Sequence, residues 1–398
     1  MTTVGVIGLA CLDTVVVVEK YPSVDTKNVT KDRHFFGGGN GATAAVALAR
    51  LGLRRSGNGV GEVGGGNAQS SSCVQLVAPI FPDDASGEGN MVIQGLRSED
   101  VCLDFADEYR PVVKGEGVIE PRPGSSYIIM DEATRSRTIF HTPQVPRELR
   151  MPPKAFLEQI KVLFLDGRFE DTVLELLRSL RAAEDERLKN MPVLMDCERL
   201  RGKETALMLP YCTVICCSEV FFSILLPPTD DASKKHDQQD NSVTREETGD
   251  AKIRKAEAEL ETLFASKYAS SCLEFAVVTL GAHGSVCRYR NKKMRDDFTT
   301  FHVPAVLPRT VGASKNGKEN GTDLTVIDTT GAGDCFNGAL CFAYTQDWSI
   351  EQMLTFASAV AGHSVTELGP RAGIPMLRPR EGNRVSFDEV MKELGVKS

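Results

Sequence analysis

No apolar run in this 398-residue sequence is long enough to cross a membrane. No secretory leader is seen either. Residues 4–9 read directly as a strand, so a cytoplasmic protein with no membrane partner is expected. Basic residues are not in excess. Lys and Arg number 46 against 54 Asp and Glu, a formal net charge of −8, which argues against a general nucleic-acid binder. The eleven cysteines include no C-x-x-C pair, and Cys212, Cys216, Cys217 and Cys341 lie in apolar runs. Buried free thiols of a reducing compartment are expected. There is no internal repeat, and Gly5 and Gly8 make no dinucleotide fingerprint. Residues 312–318 spell most of a P-loop, but Glu319 stands where Ser or Thr is needed and no apolar helix follows.

What is present begins with Asp328-Thr329-Thr330-Gly331-Ala332-Gly333-Asp334, running into Cys335-Phe336-Asn337-Gly338. Residues 324–327 predict a short strand, and an apolar helix is expected from about Asp334. The glycines allow a tight bend and close approach of an anion. Unpaired N–H groups and the positive end of the helix dipole face that bend. This is an anion cradle with a carboxylate in its mouth. The carboxylate would repel a resting phosphate, so its natural task is to take a proton from an attacking hydroxyl. The cradle then stabilises the transferring phosphoryl group. The bland reading of Asp334 is a helix cap.

A second glycine segment lies far upstream. Residues 37–52 read G-G-G-N-G-A-T-A-A-V-A-L-A-R-L-G, three glycines followed by a helix of small residues that can pack close to a sheet. The two segments, in this order, resemble the signatures of the ribokinase/PfkB family of carbohydrate kinases, most closely its ketohexokinase- and fructokinase-like members. The resemblance implies an α/β, ribokinase-like three-layer fold: a mainly parallel central sheet flanked by helices, with a small β-sheet lid. It implies one kinase domain over 1–398, with the lid at about 14–36 and 105–145. Residues 56–72, 227–250 and 311–323 are rich in glycine, serine or charge and read as flexible insertions.

By the same resemblance the chain phosphorylates a small carbohydrate with ATP, a ketohexose such as fructose being the leading acceptor. Asp334 is the general base, and the backbone of Gly331, Ala332 and Gly333 holds the phosphoryl oxygens. Asp13, expected where the first strand stops, reads either as a turn residue or, by resemblance, as the group gripping the sugar. Gly38, Gly39 and Asn40 belong to the same pocket. Thr43 stands where the family often has a second Asn. Arg168, Thr279, Gly281, Gly284 and Gly373 fall where the family meets the nucleotide. Asp196, Glu198 and Glu219 are candidates to hold Mg2+ through water, and carbonyls near the cradle are candidates for a monovalent cation (K+). The family's N-x-x-E segment falls on Ser218-Glu219-Val220-Phe221, where its Asn and Glu are missing. His363 reads as a packing or surface residue. A homodimer through the lid edge is expected to be feasible. A nucleoside kinase, or a non-catalytic regulatory protein on the same fold, remain the alternatives.

Overall fold

The computed structural model describes residues 3–54, 73–110, 112–114, 117–134, 136–225, 248–291, 297–307, 325–377 and 384–396. The expected insertions 56–72, 227–247 and 311–323, and the P-loop look-alike at 312–318, lie outside these residues. Gly249 and Asp250, expected to belong to an insertion, instead open the helix Gly249–Ala265. The chain divides into two compact units, 1–172 with 306–398, and 173–305.

In the first unit, the strand Thr3–Ile7 lies between Val162–Leu165 and Cys73–Val77, parallel to both. Beyond Thr3 every residue of these three strands is buried, as a parallel sheet covered on both faces requires. The small-residue helix Asn40–Arg50 packs against the helix Ala332–Tyr344. Their approach is close: a Cβ on Gly338 would stand 2.7 Å from the Ala44 carbonyl oxygen. Residues 350–364 form one helix, Ile350–Ser364. Ser349 and Gln352 cap its start, and no breaker stands at Phe356-Ala357 to divide it.

The strand expected at 324–327 is absent among the described residues 325–327. The N–H groups of Ile327 and Asp328 both donate to the Val365 carbonyl, at the end of that helix, instead of to a ladder.

The first unit also carries a four-stranded sheet, in the order Arg137–Thr142, Gly124–Asp131, Cys11–Val18, Asp32–Gly38. Its sides alternate as a sheet with one packed face should. Val15, Ile128 and Met130 form a small core with Val17, Phe36 and Leu368. Phe35, Tyr127 and Phe140, in register on the other face, are about half exposed.

The first strand was expected over 4–9, with Asp13 where it stops. The break falls instead at 8–10, so Asp13 is the third residue of the next strand and not a turn residue. Pairing decides this, because Cys11 is already in register with Gly38 and Gly124.

In the second unit, Val193–Cys197, Val214–Ser218 and Phe275–Thr279 are parallel neighbours. Ser285–Arg290 and Phe298–Val303 extend them antiparallel. The helix Gly249–Ala265 packs on Phe275–Thr279 and Ser285–Arg290.

Candidate active site

The cradle forms much as its residue types demand. Gly331 caps the helix Ala332–Tyr344 with φ +75°. A Cβ there would lie 2.8 Å from that of Pro370, so both conformation and space call for glycine. The helix begins at Ala332, two residues earlier than expected, which puts Asp334 in its first turn. The Ala332 N–H turns back to the Thr329 carbonyl (3.3 Å). A Cβ on Gly333 would meet nothing within 4 Å, so there is open room at this helix end. First-turn N–H groups have no partner within their own helix, and an anion fits such an end.

Asp328 organises the loop. It is 4 % exposed. Its Oδ1 accepts from the Thr330 N–H (2.9 Å) and hydroxyl (2.7 Å), and its Oδ2 from the Gly369 N–H (2.9 Å). Arg137, on the edge strand of the small sheet, donates to the Thr329 hydroxyl and so touches the cradle loop.

Gly38, Gly39, Asn40, Thr43 and Asp13 lie in the same unit, near enough to the cradle loop for Asp328 to act on Asp13. Asp13 is 6 % exposed, and a Cβ on Gly38 would overlap its carboxylate. Gly39 has φ +91° and lies against the Leu9 carbonyl. Asn40 is the first residue of its helix, and Thr43 is wholly buried in the next turn. Burial raises the Asp13 pKa. Hydrogen bonds from Ser126 and Cys11 and the Arg371 charge oppose the rise, while Asp328 adds to it.

Segment 369–375, in which the sequence already marked Gly373, joins the two glycine motifs. Gly369 bonds to Asp328, and Pro370 packs on Gly331 and accepts from the Cys335 thiol (3.6 Å). Arg371, 8 % exposed, donates to the Gly38 carbonyl (3.0 Å) and approaches the Thr43 hydroxyl (3.5 Å). Burial lowers its pKa, and Cys11 and Asp13 work against that. Its signal was a lone charge among small and apolar residues in G-P-R-A-G-I-P. Gly373 is a close backbone approach, since a Cβ would stand 2.5 Å from the His363 carbonyl oxygen. His363 packs as expected, with Nε2 at 2.9 Å from the Leu394 carbonyl oxygen.

The role of Asp166, two residues before Arg168, left no signal in the sequence. Its buried carboxylate accepts from the N–H groups of Leu9 (2.6 Å), Gly41 (3.1 Å) and Arg168 (3.1 Å). The Arg168 Nε is buried without a hydrogen bond, 3.9 Å from Asp166 Oδ2.

In the second unit, Glu198 is ion-paired to Arg199 and Arg201, each at 2.8 Å, and Glu219 to Lys252 at 3.0 Å. Asp196 is 7 % exposed. Among the described residues no three His, Cys, Asp or Glu side chains gather to hold a metal. The expected trio is therefore not a preformed protein cage. Such a set suits magnesium only where phosphates and water supply most of its ligands. Thr279 ends its strand with its hydroxyl on the Cys217 carbonyl (3.3 Å). Gly281, φ +57°, opens a short turn with nothing within 4 Å of a would-be Cβ. At Gly284, φ +83°, a Cβ would overlap the Val303 carbonyl. All eleven cysteines are free thiols, and ten are buried, Cys272 being exposed. No helix among the described residues is long and apolar enough to cross a membrane.

One consequence of Asp13 burial is measurable. A carboxyl whose folded pKa lies above its unfolded value of about 3.8 opposes folding when ionised. That penalty is absent below the unfolded pKa and complete above the folded one. Asp13→Asn should therefore have a higher Tm than the wild type at pH 7, and the advantage should shrink as pH falls toward 4. A lower Tm at pH 7 would show that the surrounding donors outweigh burial.

Sheet order, glycine cradle and joining segment together define a ribokinase-like α/β protein. The pfkB family carbohydrate kinase pattern matches residues 118–377. The chain belongs to the pfkB family of carbohydrate kinases. It is 31 % identical to a ribokinase of Lactococcus lactis over 101 residues, which cover 25 % of this chain and 26 % of that one. It is 33 % identical to a probable fructokinase-2 of Arabidopsis thaliana over 128 residues, 30 % and 31 % of the two chains. The matched stretches thus span about a quarter to a third of these relatives' lengths. Among solved structures, a Cryptococcus neoformans ribokinase in complex with ADP superposes with TM-score 0.65 at 18 % identity, covering 94 % of this chain and 97 % of that one. An Arabidopsis thaliana ribokinase complexed with ribose and ATP gives TM-score 0.63 at 16 % identity, covering 100 % and 99 %. At such identities these likenesses establish the fold.

Proposed function

We propose that the chain transfers the γ-phosphate of ATP to a hydroxyl of a small carbohydrate, with a ketohexose such as fructose as the leading acceptor. The observation that carries this reading is Asp334 in the first turn of a glycine-capped helix with open room beside it. Segment 369–371 ties that cradle to the Gly38–Thr43 pocket. Asp334 takes the proton of the attacking hydroxyl, and the cradle N–H groups of Gly331 and Gly333 face the transferring phosphoryl oxygens, with the Ala332 N–H turning to them from the Thr329 carbonyl. In a loose transition state the proton leaves late, so an ordinary carboxylate suffices as base. Asp13, Gly38, Gly39, Asn40 and Thr43 hold the acceptor, Asp13 by accepting from its hydroxyls.

Arg168, whose Nε makes no hydrogen bond, serves as a cation for the nucleotide phosphates, and Gly373 shapes the backbone of the same unit. Thr279, Gly281 and Gly284 are the second unit's nucleotide contacts, Gly281 leaving open space there. Magnesium, when bound, neutralises phosphate charge, with Asp196 as the protein group suited to it. Glu198 and Glu219, each already paired with a cation, would meet it only through water. Oxygen atoms near Asp328 remain the place for a monovalent cation.

The test is ADP release with ATP and magnesium across ketoses, aldoses and nucleosides. Turnover with a sugar supports the proposal, strongest with fructose if the ketohexose assignment holds. Turnover with nucleosides alone would move the acceptor class, and silence across the panel would overturn the kinase reading.

A further inference from the structure

Three side chains stand side by side across three strands of the small sheet. Asp13 pairs in register with Ser126, and Ser126 with His141. Directly opposed residues share a face of the sheet, so the three side chains form one row. They also act on one another in that order. The Ser126 hydroxyl, as a donor, holds down the Asp13 pKa against burial, and Ser126 Oγ lies 3.3 Å from His141 Nδ1. Burial falls along the row: Asp13 is 6 % and Ser126 8 % exposed, while His141 lies at the surface.

We propose that Ser126 and His141 are positioning residues that keep Asp13 an acceptor-only carboxylate and so set the affinity of the pocket for a hydroxyl-bearing acceptor. This rests on the reading of Asp13 as the acceptor-binding group. A serine hydroxyl has one proton to donate. When it goes to the Asp13 carboxylate, Ser126 Oγ can only accept from His141, which fixes the imidazole proton on Nδ1. The row thus has one direction, from imidazole N–H to hydroxyl to carboxylate.

The other groups around Asp13 leave this task to Ser126. On its own strand Cys11 offers only a weak thiol donor at 3.5 Å. On the other neighbouring strand its registered partner is Phe36, which has no donor. Asp328 is a like charge, and Arg371 acts on Asp13 through its field while its guanidinium bonds to Gly38 and Thr43. Burial favours the protonated acid, which would spend one oxygen as a donor. A sugar presents hydroxyls in pairs, and an ionised carboxylate of fixed plane can receive both.

The experiment is steady-state kinetics on the full chain, with the acceptor the wild type turns over fastest. Ser126→Ala should raise the acceptor KM about tenfold, the order expected for one lost hydrogen bond to a charged group. Both kcat and the ATP KM should stay within about twofold. Ser126→Thr, which keeps the hydroxyl, should restore the wild-type KM. His141→Ala should move the acceptor KM the same way by about threefold, and His141→Asn, whose amide can donate in place of Nδ1–H, should recover part of it. An unchanged acceptor KM in Ser126→Ala overturns the relay, as does an equal shift in the ATP KM. If Ser126→Ala does not fold, the exposed His141 variants decide on the same readout. Silence of the wild type with every acceptor overturns the functional reading and the relay with it. Wild-type turnover with unmoved variants overturns the relay alone.

Discussion

Asp334→Asn should lower kcat by about 10²–10⁴-fold, the usual worth of a positioned general base, and leave the protein folded. The substitution keeps side-chain shape and removes only the ability to take a proton. Its structural cost is small. Asp334 lies in the first turn of its helix, where an acidic side chain contributes about 0.3–1 kcal/mol through the dipole. That is minor beside the ~5–15 kcal/mol stability of an ordinary domain. The glycine cap at Gly331, the Asp328 hydrogen bonds and the contact of Pro370 on Gly331 do not involve the replaced group. Turnover by ADP release and a thermal melt of the same sample make the measurement. A variant within tenfold of wild-type kcat would remove Asp334 as the base. A large loss of kcat at an unchanged Tm is the result the geometry leads us to expect.

The second large effect concerns stability. Asp166→Ala should destabilise the fold by on the order of 4 kcal/mol, since each buried donor left unpaired costs roughly 1–3 kcal/mol and water will recover some of the three. The donors belong to Leu9, Gly41 and Arg168, on three separate segments. They are the turn after the first strand, the start of the helix Asn40–Arg50 and the loop after Val162–Leu165. Space is tight as well, because a Cβ on Gly8 would overlap the same carboxylate. Asp166 is thus the clasp on which the pocket's backbone converges. A denaturant titration checks this, read as a shift in midpoint at constant slope. A loss under about 1 kcal/mol, within the usual range for harmless substitutions, would mean that water replaces the carboxylate without strain.

Some of this architecture could be read from residue order, and some could not. Gly331 and Gly39 were legible because a positive φ is a demand on one residue, and glycine meets it most easily. The small-residue helix was legible because a helix that packs backbone to backbone needs small side chains along its length, as the Ala44–Gly338 contact shows. Strand ends were less legible. Asp13 was expected where the first strand stops. Its place inside a strand follows from registers with Gly38 and Gly124 that no local pattern encodes. The strand expected at 324–327 failed for the related reason that the Val365 carbonyl drew the N–H groups of Ile327 and Asp328 away from any ladder.

Residue order was enough to establish the α/β class, the cradle with its acid and the glycine pocket, because these depend on backbone conformation and spacing within a few residues. Folding in three dimensions assigned work to Asp166, Ser126, His141 and Arg371, whose partners lie far along the chain. Asp166 reaches Gly41 across 125 residues, and Arg371 reaches Gly38 across 333. A hydrogen bond depends on distances of about 3 Å and on direction. Distant segments attain that geometry only once sheet register and helix packing have set them side by side.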